Sequence, residues 1–140
     1  MVNEIVEGVA AAIRAKIPDA RVWQMDIAQG LEAPCFFIAV LAPSVERRPG
    51  GGTWWRVPLD VHYFPQAEGD NGELMGMADT LSLALEAIPF AGGKLRGTSR
   101  HFETEDGVLH FMVTYEASMA VTGGIPMMET LAIDQGTTER

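Results

Sequence analysis

FETEDGVLHFMVTYEASMAV, residues 102–121, decides the fold. At its centre lies Asp106-Gly107, the dipeptide that best tolerates the positive φ angles of a type I′ hairpin turn. A two-residue loop also sets the register. Glu105 pairs with Val108, Phe102 faces Phe111 on one side of the ribbon, and Glu103 faces His110 on the other. From Leu109 onward every second residue is apolar, through Phe111, Val113, Tyr115, Ala117, Met119 and Val121, so a long strand offers one continuous face to a core.

Upstream of this hairpin, Leu74, Met77, Ala78, Leu81, Leu85 and Ile88 recur at helical spacing up to Pro89. Asp70 and Glu73 form an Asp-containing analogue of a capping box at the start of that helix. Before it the period is two. Trp55, Val57, Leu59, Val61 and Tyr63 alternate with Trp54, Arg56, Asp60, His62 and Phe64, and Pro58 inside the run points to a sheet edge or a bulge because it cannot donate a ladder hydrogen bond. Residues 43–53, PSVERRPGGGT, are too polar and glycine-rich for a packed element and read as a mobile loop. Cys35 to Leu41 is apolar on both sides and short, as a central strand is. Residues 21–28 alternate again, with Trp23, Met25 and Ile27 on one side. Val2, Ile5, Val6, Val9, Ile13 and Ile17 line one face of a first helix, capped by Asn3 and stopped by Pro18.

The expected order is α-β-β-β-α-β-β. This is an α+β domain over residues 1–122, a mainly antiparallel sheet with two helices packed on one face. Residues 123–140 follow as an extended C-terminal arm and flexible tail, apolar at first and disordered in character at the end.

The 140 residues, 47% of them apolar, suffice for one ordinary core and not for two. Apolar runs break well short of a membrane span. Ten basic against nineteen acidic residues give a net charge of −9, which opposes nucleic-acid binding through phosphate contacts. The N-terminus carries acids before bases, the reverse of a secretory signal, and reads as a cytosolic start. A single cysteine excludes an intramolecular disulfide framework and a multi-cysteine zinc cage.

Catalytic candidates do not converge. Cys35 sits in an apolar run and reads as a buried thiol. Asp60 and His62 are two apart on one strand face, but two ligands do not make a metal site. Glu103 opposite His110 reads as a solvated cross-strand pair. The PGGG stretch lacks the Lys-Ser/Thr of a phosphate loop. No catalytic residue, cofactor or metal is expected. Features suited to assembly remain: the glycine loop with Arg47 and Arg48 at its tip, the adjacent Trp54-Trp55 pair, and the arm carrying Met127-Met128. Trp54 and Trp55 point to opposite faces, so Trp54 is covered either by the loop or by another subunit.

Four strings, QGLEAPCFFI (29–38), RVPLDVHYFP (56–65), GVLHFMVTYE (107–116) and MMETL (127–131), in this order resemble the phage tail terminator family over about residues 20–133. The resemblance implies a virion protein without catalytic residues, assembled in the host cytoplasm. Such a protein caps the head-proximal end of the tail tube as a homo-oligomeric ring, a hexamer, and joins the tail to the head-tail connector. Its partners are the tail tube protein and connector proteins, duplex DNA passes without specific binding, and no membrane is involved. The loop residues Val45, Glu46, Arg47, Arg48 and Trp54 are then expected to touch a neighbouring subunit or the tube. Ile125, Met127, Met128 and Leu131 are expected to dock the arm. Two alternatives stay open: a monomeric small-molecule-binding or enzyme domain using Asp60, His62 and His110, and another neck or tail-completion protein of the same virion.

Overall fold

A computed structural model describes residues 1–24, 32–66 and 71–119, and the backbone of 131–132. The elements run α1 (Val2–Lys16), β1 (Val22–Gln24), β2 (Cys35–Val40), β3 (Ser44–Arg47), β4 (Thr53–Phe64), α2 (Asn71–Ala84), β5 (Ala87–Phe90), β6 (Gly93–Glu105), β7 (Val108–Met119) and β8 (Leu131–Ala132). The main sheet has the order β1-β2-β4-β7-β6-β5, with β3 added to β4 and β8 to β7. Every pairing is antiparallel except β1 with β2. The α+β class is as expected, and the two helices share one sheet face.

The apolar periodicities explain that packing. Ile5, Val6, Val9 and Ile13 of α1 and Leu74, Ala78 and Leu81 of α2 are buried in one cluster with Val57, Leu59 and Val61 of β4. Leu109, Phe111, Val113, Tyr115 and Ala117 of β7 complete it. The β6–β7 turn has φ of 54° at Asp106 and 77° at Gly107, as a type I′ turn requires. Its register places Phe102 opposite Phe111 and Glu103 opposite His110. Beyond His101 the ladder slips at a bulge where Ser99 takes a φ of 52°.

Four local readings are corrected. The cap of α1 is Met1 rather than Asn3, which lies inside the helix, and the N-terminal ammonium pairs with Glu4 at 2.6 Å. Residues 44–47 are not a mobile loop but strand β3, which completes the edge of β4 where β2 ends. Pro58 lies on a central strand, neither at a sheet edge nor in a bulge. Leu41 N–H donates to the Pro58 carbonyl at 2.9 Å, so the missing N–H falls at the seam where β2 leaves β4 and β3 has not yet begun. Finally, α2 ends at Ala84, and Ile88 and Pro89 belong to β5. Two tertiary bonds stop the helix: Tyr115 hydroxyl donates to the Leu85 carbonyl at 2.7 Å, and Gly97 N–H to the Glu86 carbonyl at 2.8 Å.

Close approaches lock the layers. A Cβ on Gly8 would stand 2.5 Å from the Pro89 carbonyl oxygen, so α1 rests directly on β5 there. Tyr63 hydroxyl donates to the Glu73 carboxylate at 2.6 Å, and Gln66 N–H donates to the same oxygen at 3.0 Å, tying the end of β4 to the first turn of α2.

Candidate functional site

The assembly residues named from sequence gather on the β3–β4 hairpin. Val45 faces Trp55, Glu46 faces Trp54 and Arg47 faces Thr53, and all four β3 residues are exposed. The tip closes by Arg48 N–H to the Gly52 carbonyl and Gly51 N–H to the Arg48 carbonyl, both 3.0 Å. Gly50, Gly51 and Gly52 have φ of 86°, 98° and 89°, so the glycine run is a conformational requirement of this turn. The Arg48 guanidinium lies 4.2 Å from the Trp54 ring centroid, a cation–π contact that makes the hairpin itself the cover of this indole. Arg56 pairs with Glu116 at 3.2 Å behind it, on the surface.

The other end of the sheet carries the opposite charge. The β6–β7 hairpin ends in Glu103, Glu105 and Asp106, all exposed, beside Phe102 at 45% exposure. Strand β7 runs from that turn at Val108 to Met119, which faces Thr53 beside the tip of the β3–β4 hairpin. Eleven strand steps place the acidic and basic tips roughly 35 Å apart. Beyond Thr98, β6 pairs only with β7 among the described residues, and β3 only with β4, so both hairpins present a free strand edge.

Between these tips, on the sheet face away from the helices, lies a cluster that the sequence had left divided. His62 and His110 are direct partners across β4 and β7, with ring centroids 4.4 Å apart. One oxygen of Asp60, Oδ2, stands 3.1 Å from His62 Nε2 and 3.1 Å from His110 Nδ1. The second, Oδ1, is buried and has no hydrogen-bond partner among the described residues. Burial beside Ala39 and Met112 acts to raise the Asp60 carboxyl, but the hydrogen bonds to His62 and His110 outweigh it and hold the group below its ordinary range. His110 therefore turns to Asp60, and the expected Glu103–His110 ion pair does not form although the two residues are in register. The two-ligand count read from sequence rises to three. A D-x-H on one strand and a lone His on another were visible, but the β4–β7 register that joins them was not.

Cys35 is buried, at 1% exposure, and burial pushes its thiol up. Of the arm residues, Ile125, Met127 and Met128 lie outside the described residues. Leu131 lies in β8, whose backbone pairs with Met119 of the chain's own β7.

Residues 4–122 match the profile of a family described as phage tail terminator protein. The chain belongs to the phage tail terminator family. That membership covers the helix-and-sheet body from the first turn of α1 through β7 and gives the chain a structural role in the phage tail, hence in the virion. No curated protein matches the sequence. Among the described residues no helix is long and apolar enough to cross a membrane.

Proposed function

We propose that copies of this chain close into a ring of about six subunits that caps the head-proximal end of the tail tube and meets the head-tail connector. It acts as a structural part without catalysis. The observation that supports this reading best is the charge polarity of the long sheet. Arg47 and Arg48 stand at one end and outnumber the neighbouring Glu46, and Glu103, Glu105 and Asp106 stand at the other. Unlike ends that attract one another favour head-to-tail contacts, and head-to-tail contacts close into rings when the rotation between neighbours allows. Free strand edges on both hairpins add backbone donors and acceptors to the same contact. Val45 supplies its apolar part, with the partly exposed Trp54 indole beneath Arg48 at its margin, and the arm residues Ile125, Met127 and Met128 add a further docking contact next to Leu131, whose strand β8 lies on the chain's own β7.

The net charge of −9 suits the lumen of such a ring. Duplex DNA passing an acidic wall is repelled rather than held, so the tail tube protein and the connector are the binding partners and the genome is not.

The test is solution mass by light scattering over a concentration series, with negative-stain imaging, repeated in the presence of purified tail tubes. Particles near six times the 15.2 kDa chain mass, or caps on tube ends, are expected. A chain that stays monomeric at every concentration and does not bind tube ends overturns the proposal.

A further inference from the structure

We propose that Asp60, His62 and His110 form a binding site for a divalent transition cation of the zinc type, which braces β4 to β7 on the sheet face that the helices leave open. The donor set is one carboxylate and two imidazoles, which zinc and its neighbours in the first transition row accept and which calcium or magnesium, seeking oxygen alone, do not. All three ligand atoms lie within 4.8 Å of one another, and the Asp60 oxygen is 3.1 Å from each histidine nitrogen. Zinc bonds of about 2.0–2.1 Å at tetrahedral angles set ligand atoms about 3.4 Å apart, so the two Asp60–histidine separations of 3.1 Å need open by only a few tenths of an ångström, and rotation of the imidazoles sets the third. The backbone needs no rearrangement, because His62 and His110 sit opposite each other in an unbroken β4–β7 ladder from Thr53 to Tyr63.

The surroundings agree. The side chains are 15% exposed at Asp60, 22% at His62 and 19% at His110, which screens the site from bulk water and leaves an open side for a fourth ligand. Phe37 of β2 meets the His62 ring edge-on at 5.7 Å, and the Phe64 ring lies at 6.3 Å farther along β4, so apolar rings flank His62 on two sides. On the other side β6 places the exposed Glu103 opposite His110 in the ladder. As it stands, the carboxylate shares one oxygen between two rings while Oδ1 is buried without a partner among the described residues. Binding requires both histidines neutral, with the ring proton on His62 Nδ1 and on His110 Nε2. The cation then takes the place of the two N–H groups facing Asp60, and no redox step is involved.

The site is independent of the ring proposal, and its test uses the untagged full chain. After chelator treatment and dialysis, zinc is titrated by calorimetry and the melting temperature is followed. Cobalt is then added to the metal-free protein for its visible spectrum. One cation per chain, the intense visible bands of tetrahedral cobalt and a Tm rise of roughly 5–10 °C at 100-fold Kd are expected. His62→Asn, His110→Asn and Asp60→Asn should each lose the cation-dependent rise, whereas the exposed His101→Asn should keep it. Circular dichroism of the metal-free variants separates lost binding from lost folding. If a variant fails to fold, the wild-type cobalt spectrum decides alone. A pale octahedral spectrum, sub-stoichiometric zinc, or equal binding by wild type and a folded His62→Asn/His110→Asn variant overturns the site.

Discussion

Gly97→Ala tests the joint that ends α2 and seats β6. A Cβ at Gly97 would lie 2.7 Å from Val113 Cγ2, 2.8 Å from the Leu85 carbonyl oxygen and 3.1 Å from Tyr115 Cε1. Val113 can turn, but the Leu85 carbonyl is backbone, and it accepts the buried Tyr115 hydroxyl at 2.7 Å. Overpacking of this kind costs about 1–3 kcal/mol, and pulling the carbonyl from its buried donor adds about 1–2 kcal/mol. The expected total is about 3–4 kcal/mol. Tyr115→Phe alone leaves the same carbonyl unpaired without the steric conflict and should cost about 1.5 kcal/mol. Since both changes remove one hydrogen bond, the double variant should fall short of the sum by about 1 kcal/mol. Urea unfolding of the four proteins measures the cycle. A loss below about 1 kcal/mol for Gly97→Ala, or additivity within about 0.5 kcal/mol, would refute the reasoning.

Four more tests address other parts of the molecule. Reversing the basic tip by Arg47→Glu with Arg48→Glu should abolish ring formation while leaving the melting temperature within a few degrees, and adding Glu103→Lys with Glu105→Lys should restore assembly; light scattering reads both. Cys35 should resist alkylation in the native protein and react fully in denaturant, as a buried thiol with a raised pKa does, and rapid native labelling would contradict its place in the core. The chain has two tyrosines, Tyr63 and Tyr115, and burial raises both phenols above the ordinary value near 10. Their contribution to stability is complete below about pH 10 and is lost as pH rises toward the folded values, so tyrosinate absorbance should appear together with unfolding rather than before it. Tyr63→Phe removes the hydroxyl that donates to Glu73 at 2.6 Å and should cost about 1–2 kcal/mol in urea unfolding.

Local chemistry was readable in the sequence wherever neighbours in the chain are also neighbours in space. Asp106-Gly107 specified its turn and the pairing of Glu103 with His110, and the apolar periods specified α1, β4 and β7. Readings failed where a distant strand decides. Nothing in SVER alternates, and it is a strand because β4 continues past the last β2 partner, Leu59, and offers its backbone from Arg56 to Thr53 for pairing. Leu85 and Ile88 keep helical spacing, yet Tyr115 and Gly97 claim the carbonyls of Leu85 and Glu86 and turn the chain into β5. The Asp60–His62–His110 cluster depends likewise on a register between strands about fifty residues apart, which no tight turn dictates.

The same register bears on how copies meet. A two-fold contact through the β6–β7 hairpin would set Glu103, Glu105 and Asp106 against themselves, and one through the tip of the β3–β4 hairpin would set Arg48 against Arg48 with only Glu46 to offset Arg47. Both are penalised by like charges, most strongly at low salt. The head-to-tail contact puts each tip against its opposite and loses strength as salt rises, so ring yield should fall with ionic strength. A hydrophobic two-fold dimer would instead hold or strengthen. Light scattering in about 0.05 M and about 0.5 M salt separates these arrangements, and a dimer that persists unchanged in high salt would show that the charge polarity does not govern assembly.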